Sequence, residues 1–172
     1  AKDILIRFLK IYHVLEYLCY RIELVKIEKD TTKKTYIRAV LKLASKNDEK
    51  SLVTKNMQLI LNDYKSKPEF TKIITTISNG PAIKSFLKNY YNLTDYSNQL
   101  GTVSQLIYQL RCSIVHAKES ELHFTLSNSE DYKDIVGLIK ELIYFLEHII
   151  INSLSTKKDV IYYSKDCIPL YY

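Results

Sequence analysis

The chain has 172 residues, of which 47% are hydrophobic, and a formal net charge of +6 at pH 7, so it is long enough for one domain with its own hydrophobic core. Its three cysteines, Cys19, Cys112 and Cys167, are widely spaced and include no Cys-x-x-Cys pair, which argues against a zinc site or a secreted disulfide framework and favours a reducing, cytoplasmic setting. The longest apolar run, residues 142–151, is interrupted by a glutamate and a histidine and is too short to span a bilayer, so we expect no membrane partner.

The positive charge is concentrated in the first part of the chain. Residues 1–67 carry 15 Lys+Arg and 8 Asp+Glu, for a net charge of +7, whereas residues 68–172 have a net charge of −1. A basic half of this kind attracts nucleic acid. The same imbalance also arises from a composition rich in Lys, Ile, Asn and Tyr, as expected from an AT-rich genome, so both interpretations stay open.

Apolar residues recur at steps of three and four from residue 3 to about residue 28, which predicts an amphipathic first helix. Within it, His13 and Glu16 are three residues apart and therefore share a helix face. This pair is either a second polar contribution to a functional site or a solvated ion pair on the outer surface.

Further helices are predicted along the rest of the chain, separated by turn residues. The segment from Phe70 to Ile77 is rich in β-branched residues, which permits a strand, but no strand-like segment precedes it, so we expect a turn or two of helix. The other predicted helices run from Thr31-Thr32 to about Ser45, over about 49–64 after a cap at Asn47-Asp48, from Pro81 to near Asn92, from Ser97 or Asn98 into the segment 111–116, and from Ser127 or Ser129 to about Leu154.

The final predicted helix is apolar nearly all round, which indicates that it lies at the centre of the bundle or also packs against a second subunit. A polar connection, residues 119–129, precedes it, and a tail without a helical pattern, residues 157–172, follows it. The sequence therefore predicts an all-α bundle of about five helices over residues 1–156, up-and-down where the connections are short.

Arginine and histidine are scarce, with four of each against 21 lysines, and one of each lies in the segment Arg111–His116. A cation beside a group that exchanges protons near neutral pH suits chemistry on a phosphodiester. On a regular helix, however, Arg111 and His116 point roughly 140° apart and lie about 7.5 Å apart along the axis. The two side chains converge only if the helix ends near His116 or if a partner chain supplies the other half.

The residues alone leave three interpretations of this segment open. In the first, Arg111 is solvated or paired with an acid and His116 is satisfied near a helix end, as most such residues are. In the second, Cys112 and His116, which share a helix face, form a nucleophilic pair, although no third orienting group is visible. In the third, Arg111 binds a phosphate and its developing charge while His116 moves a proton.

The segment Ile107-Tyr108-Gln109-Leu110-Arg111-Cys112-Ser113-Ile114-Val115-His116-Ala117 resembles the Arg-x4-6-His motif of the HEPN superfamily, whose members are small helical domains and often ribonucleases. In that family a helix leads into the arginine, a polar residue, a short apolar stretch and the histidine. The segment Tyr12-His13-Val14-Leu15-Glu16-Tyr17 also resembles the first helix of HEPN domains in bacterial defence proteins. The order of a motif helix, a loop and a long closing helix agrees with the same pattern.

The resemblance implies a metal-independent endoribonuclease of a toxin or antiviral defence system, which needs no cofactor and acts as a symmetric homodimer. Two Arg–His motifs would line one composite cleft, and cleavage would leave a 2′,3′-cyclic phosphate. Arg111 would hold the phosphate, His116 would be the general acid or base, and Cys112, Ser113 and Tyr108 would support them. The expected partners are RNA, a second copy of the chain, and an antitoxin or further domains of a longer chain.

Cys112 departs from the family pattern, because the position after the arginine is usually Asn, Asp or His in active members. A residue there can orient the imidazole one turn later, whereas cysteine is only a weak donor and acceptor. Ser113, three residues before His116, can partly replace it. One alternative is therefore a catalytically inactive HEPN-like module that dimerises or binds RNA or nucleotide within a larger protein. Another is a helical interaction domain in which the motif has no catalytic role.

Overall fold

The computed structural model describes residues 2–30, 33–45, 48–115 and 129–164 of the chain. These residues form seven α-helices and no strand, so the predicted all-α fold is confirmed and the predicted count of about five helices is too low. Predictions for Thr31-Thr32, Asn47, the connection 119–128, Cys167 and the tail beyond residue 164 fall outside the described residues. The helices are α1 (Lys2–Asp30), α2 (Lys33–Ala44), α3 (Glu49–Asn62), α4 (Pro68–Asn79), α5 (Pro81–Tyr91), α6 (Gln99–Val115) and α7 (Ser129–Ser155).

α4 is a complete helix of 12 residues, where the sequence indicated only a turn or two. Its β-branched residues fit a helix because one face is buried: Phe70, Ile73 and Ile77 are each 1% exposed. Pro68 lies in the first turn, where a missing N–H leaves no intrahelical hydrogen bond unmade. Burial of an amphipathic face therefore outweighs the weak helix propensity of the segment.

The two longest helices, α1 and α7, pack against each other and carry much of the core. Phe8 and Leu15 of α1 and Leu146 of α7 are fully buried in the core. α7 is not buried on all sides, however, because Tyr144 and Ile151 are each 66% exposed. The final helix thus combines a core face with an apolar strip that is open to solvent.

α6, which carries the predicted motif, packs against α1, α3 and α5. Its first turn is capped by Asn98, whose side-chain oxygen accepts a hydrogen bond from the backbone N–H of Gly101 at 3.0 Å. The helix is buried over most of its length and becomes half-buried from Arg111 onward. α6 therefore brings its last turn, with Arg111 and Cys112, to the edge of the core.

The chain after α7 lies against α1 although it forms no helix. Arg21 of α1 donates a hydrogen bond from Nε to the carbonyl oxygen of Ile161 at 2.6 Å. The hydroxyl of Ser164 donates to the buried carboxylate of Glu28 at 2.6 Å. The described part of the predicted tail is therefore attached to the bundle by specific hydrogen bonds.

Candidate functional site

Arg111 lies where α6 meets α1 and α3. Its guanidinium nitrogen Nη2 is 3.5 Å from Oε1 of Glu49 on α3 and 3.7 Å from Oε1 of Glu16 on α1. The arginine side chain is 19% exposed, Glu16 is 21% exposed and Glu49 is 42% exposed. Three helices thus bring one cation and two carboxylates together in a partly buried cluster.

The contacts of Arg111 leave part of its hydrogen-bonding capacity unused. Both carboxylate contacts exceed the normal length of a charge-assisted hydrogen bond, and the buried Nε has no hydrogen-bond partner. Nη1 lies 3.9 Å from the sulfur of Cys112, and the guanidinium carbon lies 5.6 Å from the ring centre of Tyr12. The guanidinium is therefore held by charge and by an aromatic ring, while its buried Nε is left without a partner.

The electrostatic surroundings keep Arg111 charged. Burial by itself lowers the pKa of Arg111, but the hydrogen bond to Cys112 and the nearby charges of Glu16 and Glu49 act in the opposite direction. The net result is a pKa above the ordinary value of an arginine. The site therefore combines a guanidinium that stays charged with two carboxylates, which can only accept hydrogen bonds.

Two tyrosines next to the arginine are held in the neutral form. Burial, followed by the charge of Glu16, raises the pKa of Tyr12 far above that of a free phenol. Burial, followed by Cys112 and Glu49, raises the pKa of Tyr108 to about 12. The hydroxyl of Tyr12 is buried without a hydrogen-bond partner, so the site also holds an unused neutral donor.

The predicted supporting residues on α6 face different neighbours. Cys112 is half-buried and contacts both Arg111 and Tyr108. Ser113 instead contacts Tyr91 of α5, where burial raises the pKa of the Tyr91 phenol to about 12 and the Ser113 hydroxyl partly counteracts that rise. Cys112 and Tyr108 therefore lie in the arginine cluster, whereas Ser113 lies on the α5 side of the helix.

The predicted pair on α1 is divided between the cluster and solvent. Glu16 is half-buried and faces Arg111, whereas His13 is exposed and makes an edge contact with Tyr12, with 6.4 Å between ring centres. His13 thus follows Tyr12 directly in the chain, but its own side chain does not enter the arginine cluster. The other predicted histidine, His116, lies outside the described residues, which end at Val115 in this part of the chain.

Glu49 is the member of the cluster that the sequence did not single out. It follows the helix cap Asp48, whose side chain accepts a hydrogen bond from the N–H of Ser51 at 3.0 Å. An acid in the first turn of a helix is common because it interacts favourably with the helix dipole. The only local signal was therefore the predicted cap at Asp48, and the proximity of Glu49 to Arg111 comes from packing.

Two kinds of site are not found in the described part of the chain. No group of three His, Cys, Asp or Glu side chains there is arranged to hold a metal ion. None of the helices in the same residues is long and apolar enough to cross a membrane.

Comparison with known proteins identifies no relative of this chain. The chain matches no protein-family model, no curated protein and no solved structure. The partly buried cluster of Arg111, Glu16 and Glu49 is therefore the basis for assigning a function.

Proposed function

We propose that this chain is a HEPN-like, metal-independent endoribonuclease that cleaves RNA at a site built around Arg111 and His116. The observation that carries the proposal is the position of Arg111, which is held at the junction of three helices and whose Nη2 makes only carboxylate contacts that are longer than a hydrogen bond. A planar guanidinium that can exchange these long contacts for hydrogen bonds suits the non-bridging oxygens of a phosphodiester. The basic first part of the chain supports the attraction of RNA.

The proposed reaction is an internal transesterification. The 2′-oxygen attacks the neighbouring phosphorus, the bond from phosphorus to the 5′-oxygen breaks, and a 2′,3′-cyclic phosphate forms. One group removes the proton of the 2′-hydroxyl and another protonates the leaving 5′-oxygen. Arg111 stabilises the charge on the phosphate oxygens, while His116 and Glu16 share the two proton transfers.

The two carboxylates set a condition for phosphate binding. With one cation and two anions in the cluster, an incoming phosphate is repelled unless a carboxylate withdraws from Arg111. Glu49 is 42% exposed and Glu16 is 21% exposed. Glu49 therefore gives up fewer protein contacts than Glu16 when it turns to solvent. In this proposal Glu49 leaves the arginine when RNA binds, and Glu16 stays.

A homodimer supplies the second half of the site. On a regular helix Arg111 and His116 would point roughly 140° apart, and in this proposal two facing copies complement each other. The exposed apolar strip of α7, with Tyr144 and Ile151, is a surface that a second copy can cover. A toxin or antiviral defence system is the setting that accompanies the resemblance to HEPN domains.

Cleavage of labelled single-stranded RNA in excess EDTA tests the ribonuclease. The wild-type chain should release fragments with 2′,3′-cyclic phosphate ends, and Arg111→Ala and His116→Ala should each abolish the cleavage. Arg7→Ala is a matched control, because Arg7 is an arginine paired with Glu147 at the exposed surface. Absence of cleavage by the wild type, or full activity of His116→Ala, contradicts the proposal.

A second candidate function is a HEPN-like module that binds RNA or nucleotide, or dimerises, without cleaving RNA. The observation that favours it is the position of Cys112, whose sulfur lies 3.9 Å from Arg111 Nη1 where active HEPN domains usually carry a stronger polar group. RNA binding that depends on Arg111, without cleavage and without an effect of His116→Ala, identifies this function. Light scattering that shows a monomer at high micromolar concentration argues against the shared cleft.

A further inference from the structure

A cavity of about 320 Å³ opens between α1, α2 and α3, beside the arginine cluster. Its walls are mainly aliphatic, and its polar groups are the phenol of Tyr20 and the carboxylates of Asp48 and Glu49. The volume is at the lower end of the range for small-molecule sites. Apolar walls with a few acceptors at one helix end suit a flat ring that carries hydrogen-bond donors on one edge. The aliphatic lining includes Leu24, Val40, Leu43 and Leu52.

Glu49 belongs both to this cavity and to the arginine cluster. It lines the cavity, and its Oε1 is 3.5 Å from Nη2 of Arg111. Asp48 is already engaged, because its side chain caps α3 by accepting a hydrogen bond from the N–H of Ser51. Of the two carboxylates, Glu49 is the one that connects the cavity to Arg111, so a ligand that binds Glu49 affects Arg111.

We propose that the cavity binds a guanine base of the RNA, an inference that rests on the proposed ribonuclease function. An ionised carboxylate only accepts hydrogen bonds, so its preferred partner presents two adjacent donors. The Watson–Crick edge of guanine does so with N1–H and N2–H. Adenine and cytosine present one amino group beside a repelling acceptor, and uracil presents one N–H between two acceptors. The ring faces of guanine pack against the aliphatic walls and Tyr20.

Guanine binding and phosphate binding are coupled through Glu49. When Glu49 turns its oxygens to the base, Arg111 loses one of its two carboxylate neighbours. The contact that is given up is a 3.5 Å ion pair without a hydrogen bond, so little stabilisation is lost. The cluster then holds one cation and one carboxylate, which removes the excess negative charge that opposed the phosphate. Guanine in the cavity thus makes Arg111 available for the neighbouring phosphodiester.

Calorimetric titration of the full chain with GMP, AMP, CMP and UMP tests the cavity without requiring cleavage. GMP should bind at least about tenfold more tightly than the other three nucleotides. Ala44→Phe fills the exposed edge of the cavity and should remove this preference, whereas Ser45→Phe, at the adjacent exposed position outside the lining, should keep it. Equal affinities for the four nucleotides, or no binding, overturn the inference.

Glu49→Gln separates recognition of the base from a loss of folding. A glutamine replaces one acceptor by a donor, so it no longer pairs with the two adjacent donors N1–H and N2–H of guanine, whereas it pairs with the amino group and the neighbouring ring nitrogen of adenine. The variant should lose at least about tenfold in affinity for GMP and gain affinity for AMP, a gain that a misfolded chain cannot show. Retention of the GMP preference by Glu49→Gln overturns the assignment to Glu49.

The ribonuclease and the guanine site fail in different ways. Selective GMP binding by a chain that cleaves no RNA supports the cavity and refutes the ribonuclease. Cleavage without preference for guanosine refutes the cavity and leaves the ribonuclease in place. A short oligoribonucleotide with a single guanosine should bind more tightly than GMP, and equal or weaker binding overturns the assignment of the base to RNA.

Discussion

Replacement of Tyr12 by phenylalanine is expected to stabilise the protein. Tyr12 is 0% exposed, and its hydroxyl is buried without a hydrogen-bond partner. A buried hydroxyl of this kind costs free energy because it has lost its hydrogen bonds to water and gained none in the fold. Tyr12→Phe removes that group and keeps the ring, which also contacts the guanidinium of Arg111.

The expected gain is about 1 kcal/mol in the free energy of unfolding. A buried unsatisfied polar group costs about 1–3 kcal/mol, and the small void left by the missing oxygen cancels part of the gain. A change of this size raises the melting temperature of a chain of this length by about 2–4 °C. Because burial and Glu16 raise the pKa of Tyr12 far above the usual value, the gain should be the same at every pH near neutrality.

Urea denaturation and calorimetry of the wild type and Tyr12→Phe measure this gain. Tyr96→Phe is the matched control, since the half-buried Tyr96 hydroxyl donates to the carbonyl oxygen of Leu93 at 3.2 Å and its removal should destabilise by about 0.5–1.5 kcal/mol. The two variants should therefore change stability in opposite directions. If Tyr12→Phe destabilises the protein as much as Tyr96→Phe, the hydroxyl of Tyr12 has a partner and the reasoning is refuted.

Three further changes test other parts of the structure. Gly101→Ala places a methyl group 2.5 Å from Nδ2 of the capping residue Asn98. Urea denaturation should therefore show a loss of about 1 kcal/mol in the free energy of unfolding, and this loss should largely disappear in an Asn98→Ala background. Ser164→Ala removes a 2.6 Å hydrogen bond to the buried carboxylate of Glu28 and should cost about 1.5–3 kcal/mol by calorimetry; an unchanged melting temperature contradicts this. Burial raises the pKa of Tyr91 from 10.0 to about 12, so the folded state holds the phenolic proton more tightly than the unfolded state does. The free energy of unfolding should therefore fall as the pH rises from 10.0 to about 12, and it should fall less steeply in Tyr91→Phe.

Local sequence signals were sufficient to predict the helical fold. The predicted cap at Asp48 is confirmed by its hydrogen bond with the N–H of Ser51. The break before Pro81 is confirmed by the start of α5 at that residue, and the predicted end near Asn92 is confirmed because Asn92 caps the helix in a left-handed conformation with φ of 52°. These signals are reliable because caps, prolines and apolar periodicity act within a few residues of the chain. The length of α4 was underestimated because its stability comes from burial and not from helix propensity.

Sequence reasoning singled out Arg111 but could not identify its partners. Arginine is scarce in the chain, and its spacing to His116 resembles a known motif, so both residues stood out without a structure. The spacing of His13 and Glu16 indicated a shared face on α1, yet only Glu16 faces Arg111 in the fold. Periodicity shows which side of a helix is buried, but it does not show which residue of another helix lies opposite.

The amino-acid pattern alone was enough to predict the class of the fold and to single out Arg111, the residue at the centre of the candidate site. The packing of the helices brings Glu49 within 3.5 Å of Arg111 and into the wall of a cavity beside it, which no local pattern in the chain predicts. It likewise placed Cys112 with the arginine and Ser113 with Tyr91. The physical reason is that the crossing of α1, α3 and α6 sets these contacts, and that crossing depends on side chains packing across the whole core.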